Sequence, residues 1–298
     1  VLLFFIDFQV SQHRSFQQEF TAFIHRFGGA RRAWEINLAR SCYNFLFFAR
    51  KLRMPSSVYA SLIHRQSAGK KMLAVLIDPD HTHHLEERVE RCNHAGVDFL
   101  FLGGSLLTSG TLGEAIERIK KVSNIPVLLF PGDELQVDGR ADALLLLSLI
   151  SGRNAEMLIG KHVTAAPRIR RSGLEIIPTG YMLVDGGKMT TASYISGTTP
   201  VPSDKPGIAM CTALAGEMLG LRLIYMDAGS GADRPVAAET ISAVKNAVNI
   251  PVIVGGGIRK GSQAFDAWKA GADIVVVGNA IEEDNTLIEE LMTVLRKF

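Results

Sequence analysis

The chain has 298 residues, of which 47% are apolar and 21% charged, with a formal net charge of +2, a balance that excludes a disordered or low-complexity protein. Three cysteines (Cys42, Cys92, Cys211) without CxxC or Cys/His finger spacing exclude a disulfide framework and a zinc module, and point to a reducing, cytoplasmic compartment. No window reaches the roughly 18 to 20 consecutive apolar residues of a membrane span, and no basic stretch precedes Val1–Ile6 as a secretory signal requires.

The charge is unevenly placed. Residues 1–53 hold ten of the fifteen Phe and eight Lys/Arg against three acids, or +5; the remaining 245 residues carry 24 basic against 27 acidic side chains, or −3. Overall basicity thus belongs to the first segment and gives no ground for nucleic-acid binding by the rest. Phe16, Phe20, Phe23 and Phe27 recur at helical spacing before Gly28-Gly29. The neighbouring arginines leave three readings open: a membrane-surface anchor, an appended helix pair, or a segment that is not part of the natural protein. The third is favoured, because the first methionine is Met54, where the Phe/Arg-rich composition gives way to a regular α/β pattern. The expected division is an N-terminal extension over 1–53 and a catalytic domain over 54–298.

From Met72 onward short β-branched runs alternate with helical stretches. The runs are Met72–Asp78, Asp98–Gly103, Pro126–Phe130, Ala143–Ser148, Glu175–Val184, Leu223–Ala228, Pro251–Gly256 and Asp273–Gly278. Helical patterns cover Leu85–Ala95, Thr111–Val122, Gly207–Gly220, Ala237–Val248, Ser262–Ala270 and Thr286–Lys297. The runs are apolar throughout instead of alternating, as in parallel strands buried on both faces. Eight of them in 245 residues predict an α/β fold, a (β/α)8 TIM-like barrel. A doubly wound sheet lacks its GxGxxG after the first strand. Ala95-Gly96-Val97-Asp98 and Ala270-Gly271-Ala272-Asp273 suggest related half-barrels, although turn chemistry alone explains their glycines.

Catalytic groups of such barrels sit at the C-terminal strand ends. Strand one ends in Leu76-Ile77-Asp78-Pro79-Asp80, offering hard oxygens suited to Mg²⁺. Asp80 has the competing role of capping a helix near Thr82. Strand two ends in Gly103-Gly104-Ser105. Strand six ends in Tyr225-Met226-Asp227-Ala228-Gly229-Ser230-Gly231-Ala232, strand seven in Gly255-Gly256-Gly257-Ile258-Arg259 and strand eight in Gly278-Asn279. Three successive glycine-bearing ends make a cradle of N–H donors for phosphate. His81, His83 and His84 lack ligand spacing and read as the solvated start of a helix; Cys92 and Cys211 read as packed thiols, and Arg259 as a phosphate contact or, by default, a solvated side chain.

These strand ends, with Pro178-Thr179-Gly180-Tyr181, resemble the geranylgeranylglyceryl phosphate synthase family from Pro55 to Phe298. The specific part is the tyrosine–acid–Ala-Gly-Ser-Gly-Ala run. The resemblance implies a prenyltransferase that joins the 3-hydroxyl of sn-glycerol 1-phosphate to a long prenyl diphosphate, geranylgeranyl or longer, and releases pyrophosphate. It implies that Asp78 and Ser105 hold Mg²⁺. Tyr225, Met226, Asp227, Ala228, Gly229, Ser230 and Gly231, with Gly256, Gly257, Gly278 and Asn279, would hold glycerol phosphate. Asp227 stands where many members have Glu and is the candidate base; Tyr181 is either a hydrogen-bond donor beside the hydroxyls or a rim aromatic. Leu76 stands where some bacterial members have lysine. The resemblance also implies a homo-oligomer and transient contact with membranes.

Two other functions stay open. A phosphosugar isomerase or cyclase would use opposed acids, for which Asp78 and Asp185 are the candidates. A non-catalytic prenyl-phosphate binding protein would need the cradle and neither Asp78 nor Asp227.

Overall fold

A computed structural model describes residues 57–298; the Phe repeat, Cys42, Met54 and the reading of residues 1–53 lie outside the described residues. Eight parallel strands close into a barrel in chain order: β1 (Met72–Ile77), β2 (Phe99–Leu102), β3 (Val127–Leu129), β4 (Ala143–Leu149), β5 (Glu175–Leu183), β6 (Leu223–Asp227), β7 (Val252–Gly255) and β8 (Ile274–Val277). All eight expected runs form strands, seven of them trimmed by a residue or two where turns begin and β4 extended by one residue to Leu149. Strand alternation divides their side chains. Ala74, Phe101, Leu145, Tyr225, Ile253 and Val276 fill the barrel, while Val75, Leu102, Met226, Val254 and Val277 pack outward against the helices.

The helices are α1 (Val58–Ser67), α2 (Leu85–Ala95), α3 (Leu112–Val122), α4 (Lys161–Ser172), α5 (Thr191–Ser196), α6 (Pro206–Met218), α7 (Ala238–Ala247), α8 (Gly261–Ala270), α9 (Asn279–Glu283) and α10 (Leu287–Leu295). In α3 the buried residues Leu112, Ala115, Ile116 and Ile119 follow i, i+3, i+4, i+7. Burying each of the larger aliphatics against the sheet contributes about 1.5 to 3 kcal/mol. α1 seals the barrel floor with Val58 and Leu62. Its first turn is capped by Ser57 and by Glu175 at the start of β5, whose carboxylate accepts from Val58 N at 2.6 Å. None of the described helices is long and apolar enough to cross a membrane.

One helix of the (β/α)8 pattern is missing. Between β3 and β4 the chain runs without a helix from 130 to 142, leaving the outer face of β4 to be covered by that loop and by α4. A π-turn, Glu156–Gly160, leads into α4. Lys161 Nζ reaches Asp133 at 3.1 Å and Glu134 at 2.9 Å, fastening the loop to the helix.

Candidate active site at the C-terminal rim of the barrel

Register decides which strand ends meet. Tyr181 pairs with Tyr225 and Leu183 with Asp227, so the inward faces of β5 and β6 bring Tyr181 under Asp227. Tyr181 Oη donates to Asp227 Oδ2 at 2.6 Å, and Gly229 N donates to Oδ1 at 2.7 Å. Asp227 is 7% exposed. Burial raises its carboxyl above the usual carboxylate range, and the two donated hydrogen bonds oppose that rise. Burial and the adjacent Asp227 charge hold the Tyr181 phenol well above its ordinary range. The ring of Tyr181 meets Tyr225 edge-on at 5.6 Å, and Tyr225 stacks on Phe130 at 4.9 Å, so the dyad stands on a stiff aromatic base.

Around the dyad lies a polar cleft of about 560 Å³, lined by Asp78, Ser105, Tyr181, Tyr225, Asp227, Ser230, Gly231, Gly256, Gly257, Gly278 and Asn279. Ser230 Oγ donates to Asn279 Oδ1 at 3.0 Å, joining the ends of β6 and β8. Gly256 has φ +80°, and a Cβ there would sit 2.6 Å from Asp227 Oδ1 and 2.5 Å from Gly229 N. Glycine is therefore needed for backbone to approach both the acid and the cradle. Met226 and Ala228 belong to the outer core, because alternation turns them away from the cleft, and Gly229 contributes through its N–H to Asp227.

At the end of β1, Asp78 is half-buried and its Oδ1 accepts from Asp80 N at 2.9 Å. A Cβ on Gly104 would lie 3.4 Å from both oxygens of Asp78, so the end of β2 runs beside that carboxylate, and Ser105, the next residue, lines the same cleft. Among the described residues no three His, Cys, Asp or Glu side chains converge as a metal cage. One carboxylate and one hydroxyl beside an open cleft nevertheless fit Mg²⁺, which keeps waters and takes substrate phosphate oxygens. Asp80 does not cap a helix at Thr82. α2 begins at Leu85, and Asp80 accepts from the backbone of Thr108, Ser109 and Gly110, pinning the loop after β2; those bonds hold its carboxyl well below the usual range.

The missing helix leaves a second space. An apolar trough of about 140 Å³ runs between the outer face of β4 and α4, lined by Val137, Leu144, Leu146, Met157, Ala165 and Ile169. Gly104, Ser105, Phe130 and Tyr181 line both trough and cleft, so the two spaces meet at the dyad. Sequence reading did not single out these trough residues. Their signal was the leucine run of β4, apolar like every buried strand and so not distinctive.

Other side chains fall elsewhere than expected. Cys92 is buried, its thiol pushed up to about 12 by desolvation, whereas Cys211 is exposed because α6 buries only Ala209, Ala213 and Gly216. His81 is part of the cleft wall and not of a helix start. Arg259 also lines the cleft and donates from Nη2 to Ala232 O at 2.8 Å. Asp185 does not line the cleft; Gly187 N donates to it at 3.0 Å. Glu282, which sequence reading passed over, lines the cleft from α9.

The PcrB family pattern matches residues 66–296. A geranylgeranylglyceryl phosphate synthase of Spirosoma linguale is 57% identical over 233 residues, covering 78% of this chain and 94% of its own. One from Chitinophaga pinensis is 54% identical over 240 residues, covering 80% and 95%. The crystal structure of (S)-3-O-geranylgeranylglyceryl phosphate synthase from Thermoplasma acidophilum in complex with sn-glycerol-1-phosphate aligns with a TM-score of 0.77 at 31% identity, over 81% of this chain and 99% of that one. The chain therefore belongs to the PcrB family, and within it to the geranylgeranylglyceryl phosphate synthases.

Proposed function

We propose that this chain joins the 3-hydroxyl of sn-glycerol 1-phosphate to a geranylgeranyl or longer prenyl diphosphate, forming an ether and releasing pyrophosphate. The observation that carries this reading is the meeting of a glycine-lined polar cleft and an apolar trough at the Tyr181–Asp227 dyad. The backbone at Gly231, Gly256, Gly257 and Gly278, with Ser230 and Asn279, supplies the anion cradle for the glycerol phosphate. The relative from Thermoplasma acidophilum, in complex with sn-glycerol-1-phosphate, supports that half. The trough takes the prenyl chain, with Val137, Leu144 and Ile169 among the apolar side chains that line it.

Asp78 and Ser105 would hold Mg²⁺, which when bound supplies positive charge for the departing diphosphate. Phe130 and Tyr181 wall the junction, keeping water from the allylic carbon as the carbon–oxygen bond breaks. Asp227 takes the proton of the attacking hydroxyl, and Tyr181 holds its carboxylate in place. An isomerase would lose its second acid, because Asp185 stands outside the cleft. A passive binder would have no use for a buried carboxylate whose desolvation is unfavourable. Assembly into a homo-oligomer, a cytoplasmic location and transient membrane contact for product release belong to the same reading; the exposed Ile208, Met218 and Leu219 offer an apolar face for association.

Purified protein with sn-glycerol 1-phosphate and radiolabelled prenyl diphosphates of several lengths, with and without Mg²⁺, tests the proposal. A lipid-soluble phosphate product that requires Mg²⁺ is expected. Absence of product with every donor would reject the reading.

A further inference from the structure

We propose that His81 binds the diphosphate of the prenyl donor and that Glu282 is the residue that positions it. This rests on the transferase reading above and deepens it. Among the described side chains lining the cleft, His81 and Arg259 are the basic ones, against Asp78, Asp80, Asp227, Glu282 and Glu283. Arg259 is engaged at the cradle side by Ala232 O, and Leu76 brings no charge to the end of β1. A diphosphate leaving group needs N–H donors as well as a metal. His81 is the group available where Asp78 stands.

The loop after β1 holds His81 in that place. His81 N donates to Asp78 O at 3.0 Å, closing a turn, and His84 adopts the left-handed conformation (φ 54°), so α2 begins only afterwards at Leu85. The ring Nδ1 lies 3.8 Å from Asp78 Oδ2 and 3.5 Å from Glu282 Oε2. Nε2 occupies the opposite edge of a ring that lines the cleft and makes no hydrogen bond among the described residues, so it can serve an anion there. Glu282 in turn is set by Arg88, which is 5% exposed and whose Nη1 lies 3.6 Å from Glu282 Oε1. Arg88 Nε and Nη1 have no hydrogen-bond partner among the described residues. A buried guanidinium with spare donors beside a half-buried carboxylate adds little to stability. Its charge draws the carboxylate to that side of the cleft, where the carboxylate faces the imidazole.

The test is calorimetric titration of inorganic pyrophosphate with Mg²⁺ into the full chain, alongside steady-state kinetics. His81 has a 64% exposed side chain, so His81→Ala leaves the core intact. It should weaken pyrophosphate binding about tenfold, the size of one charge-assisted hydrogen bond, and raise KM for the prenyl diphosphate by a similar factor. KM for sn-glycerol 1-phosphate should not change. Glu282→Gln should weaken pyrophosphate binding when His81 is present and have no further effect in the His81→Ala background. Glu282→Asp, which keeps the charge beside Arg88 but shortens its reach to His81, serves if Glu282→Gln melts. Unchanged pyrophosphate affinity in His81→Ala overturns the diphosphate role, and an equal effect of Glu282→Gln in both backgrounds overturns the positioning role. Wild-type protein that neither binds pyrophosphate nor makes ether would instead overturn the transferase reading itself.

Discussion

Burial raises the Asp227 carboxyl, while Tyr181 Oη and Gly229 N, donating one hydrogen bond to each of its oxygens, pull it back down. A base works deprotonated, so turnover falls as pH drops through its pKa. Tyr181→Phe removes one lowering influence and leaves desolvation less opposed. The acid limb of the kcat/KM profile should therefore move to higher pH, and kcat should fall about tenfold; a limb that moves to lower pH contradicts this account. Asp227→Asn keeps the shape and removes the base. It should reduce kcat by at least about 100-fold while the thermal midpoint holds, measured by single-turnover assay and calorimetry. At Gly256 a methyl group meets both the Asp227 carboxylate and Gly229 N, so Gly256→Ala should abolish turnover and glycerol 1-phosphate binding together. Gly256 and Asp227 could be named from the sequence, because glycine-rich ends and an acid before them are local patterns. Their mutual contact could not.

At the scale of elements, one device recurs at the lower rim. Asp98, Asp142 and Asp273 each precede an even-numbered strand and accept from the first or second N–H of the strand before it: Leu73 N at 2.9 Å, Val127 N at 2.7 Å and Val252 N at 2.8 Å. The related phrases at 95–98 and 270–273 thus carry more than turn chemistry: Gly96 caps α2 in the left-handed conformation, and each aspartate clamps neighbouring strands. Asp273 is 4% exposed and also binds Lys245 Nζ at 2.6 Å. Asp273→Ala leaves that amine and a buried N–H unpaired and should cost about 3 kcal/mol, read as a lower urea midpoint with unchanged slope. Periodicity foretold the amphipathic helices α2, α3, α7, α8 and α10. It did not foretell α1, α4 and α5, which are short, mixed in polarity or interrupted, as at Pro167. α4 matters most, since it covers the trough. Ala165→Trp should fill that space and raise KM steeply for the longest prenyl donors, leaving KM for sn-glycerol 1-phosphate unaltered.

Taken as a whole, the molecule separates its functions by height. The lower rim and α1 hold the barrel closed, and the upper rim carries the carboxylates and the glycine cradle, as barrels of this class do. A metal of the proposed kind, held by Asp78, Ser105 and substrate oxygens, would take no part in that closure. Chelation with EDTA should therefore stop turnover without lowering the thermal midpoint, and Mg²⁺ should restore activity in full.

By itself the sequence determined the eight strands, their parallel order, the closed barrel, the glycine-bearing ends and the family. The fold features follow from patterns a few residues long, in continuous apolar β-branched runs, helical spacing and turn chemistry, which short-range sterics and burial enforce, and the family from the resemblance of the strand-end motifs. Only the tertiary structure decided that Tyr181 meets Asp227, that Asp80 pins a loop, that His81 stands beside Glu282 in the cleft wall and that Cys211 stays exposed. It also decided that the segment after β3 opens a trough where a helix would stand. These contacts join residues far apart in the chain. They are set by strand register and barrel closure, which no local pattern encodes, because a shift of one residue would turn every inward side chain outward.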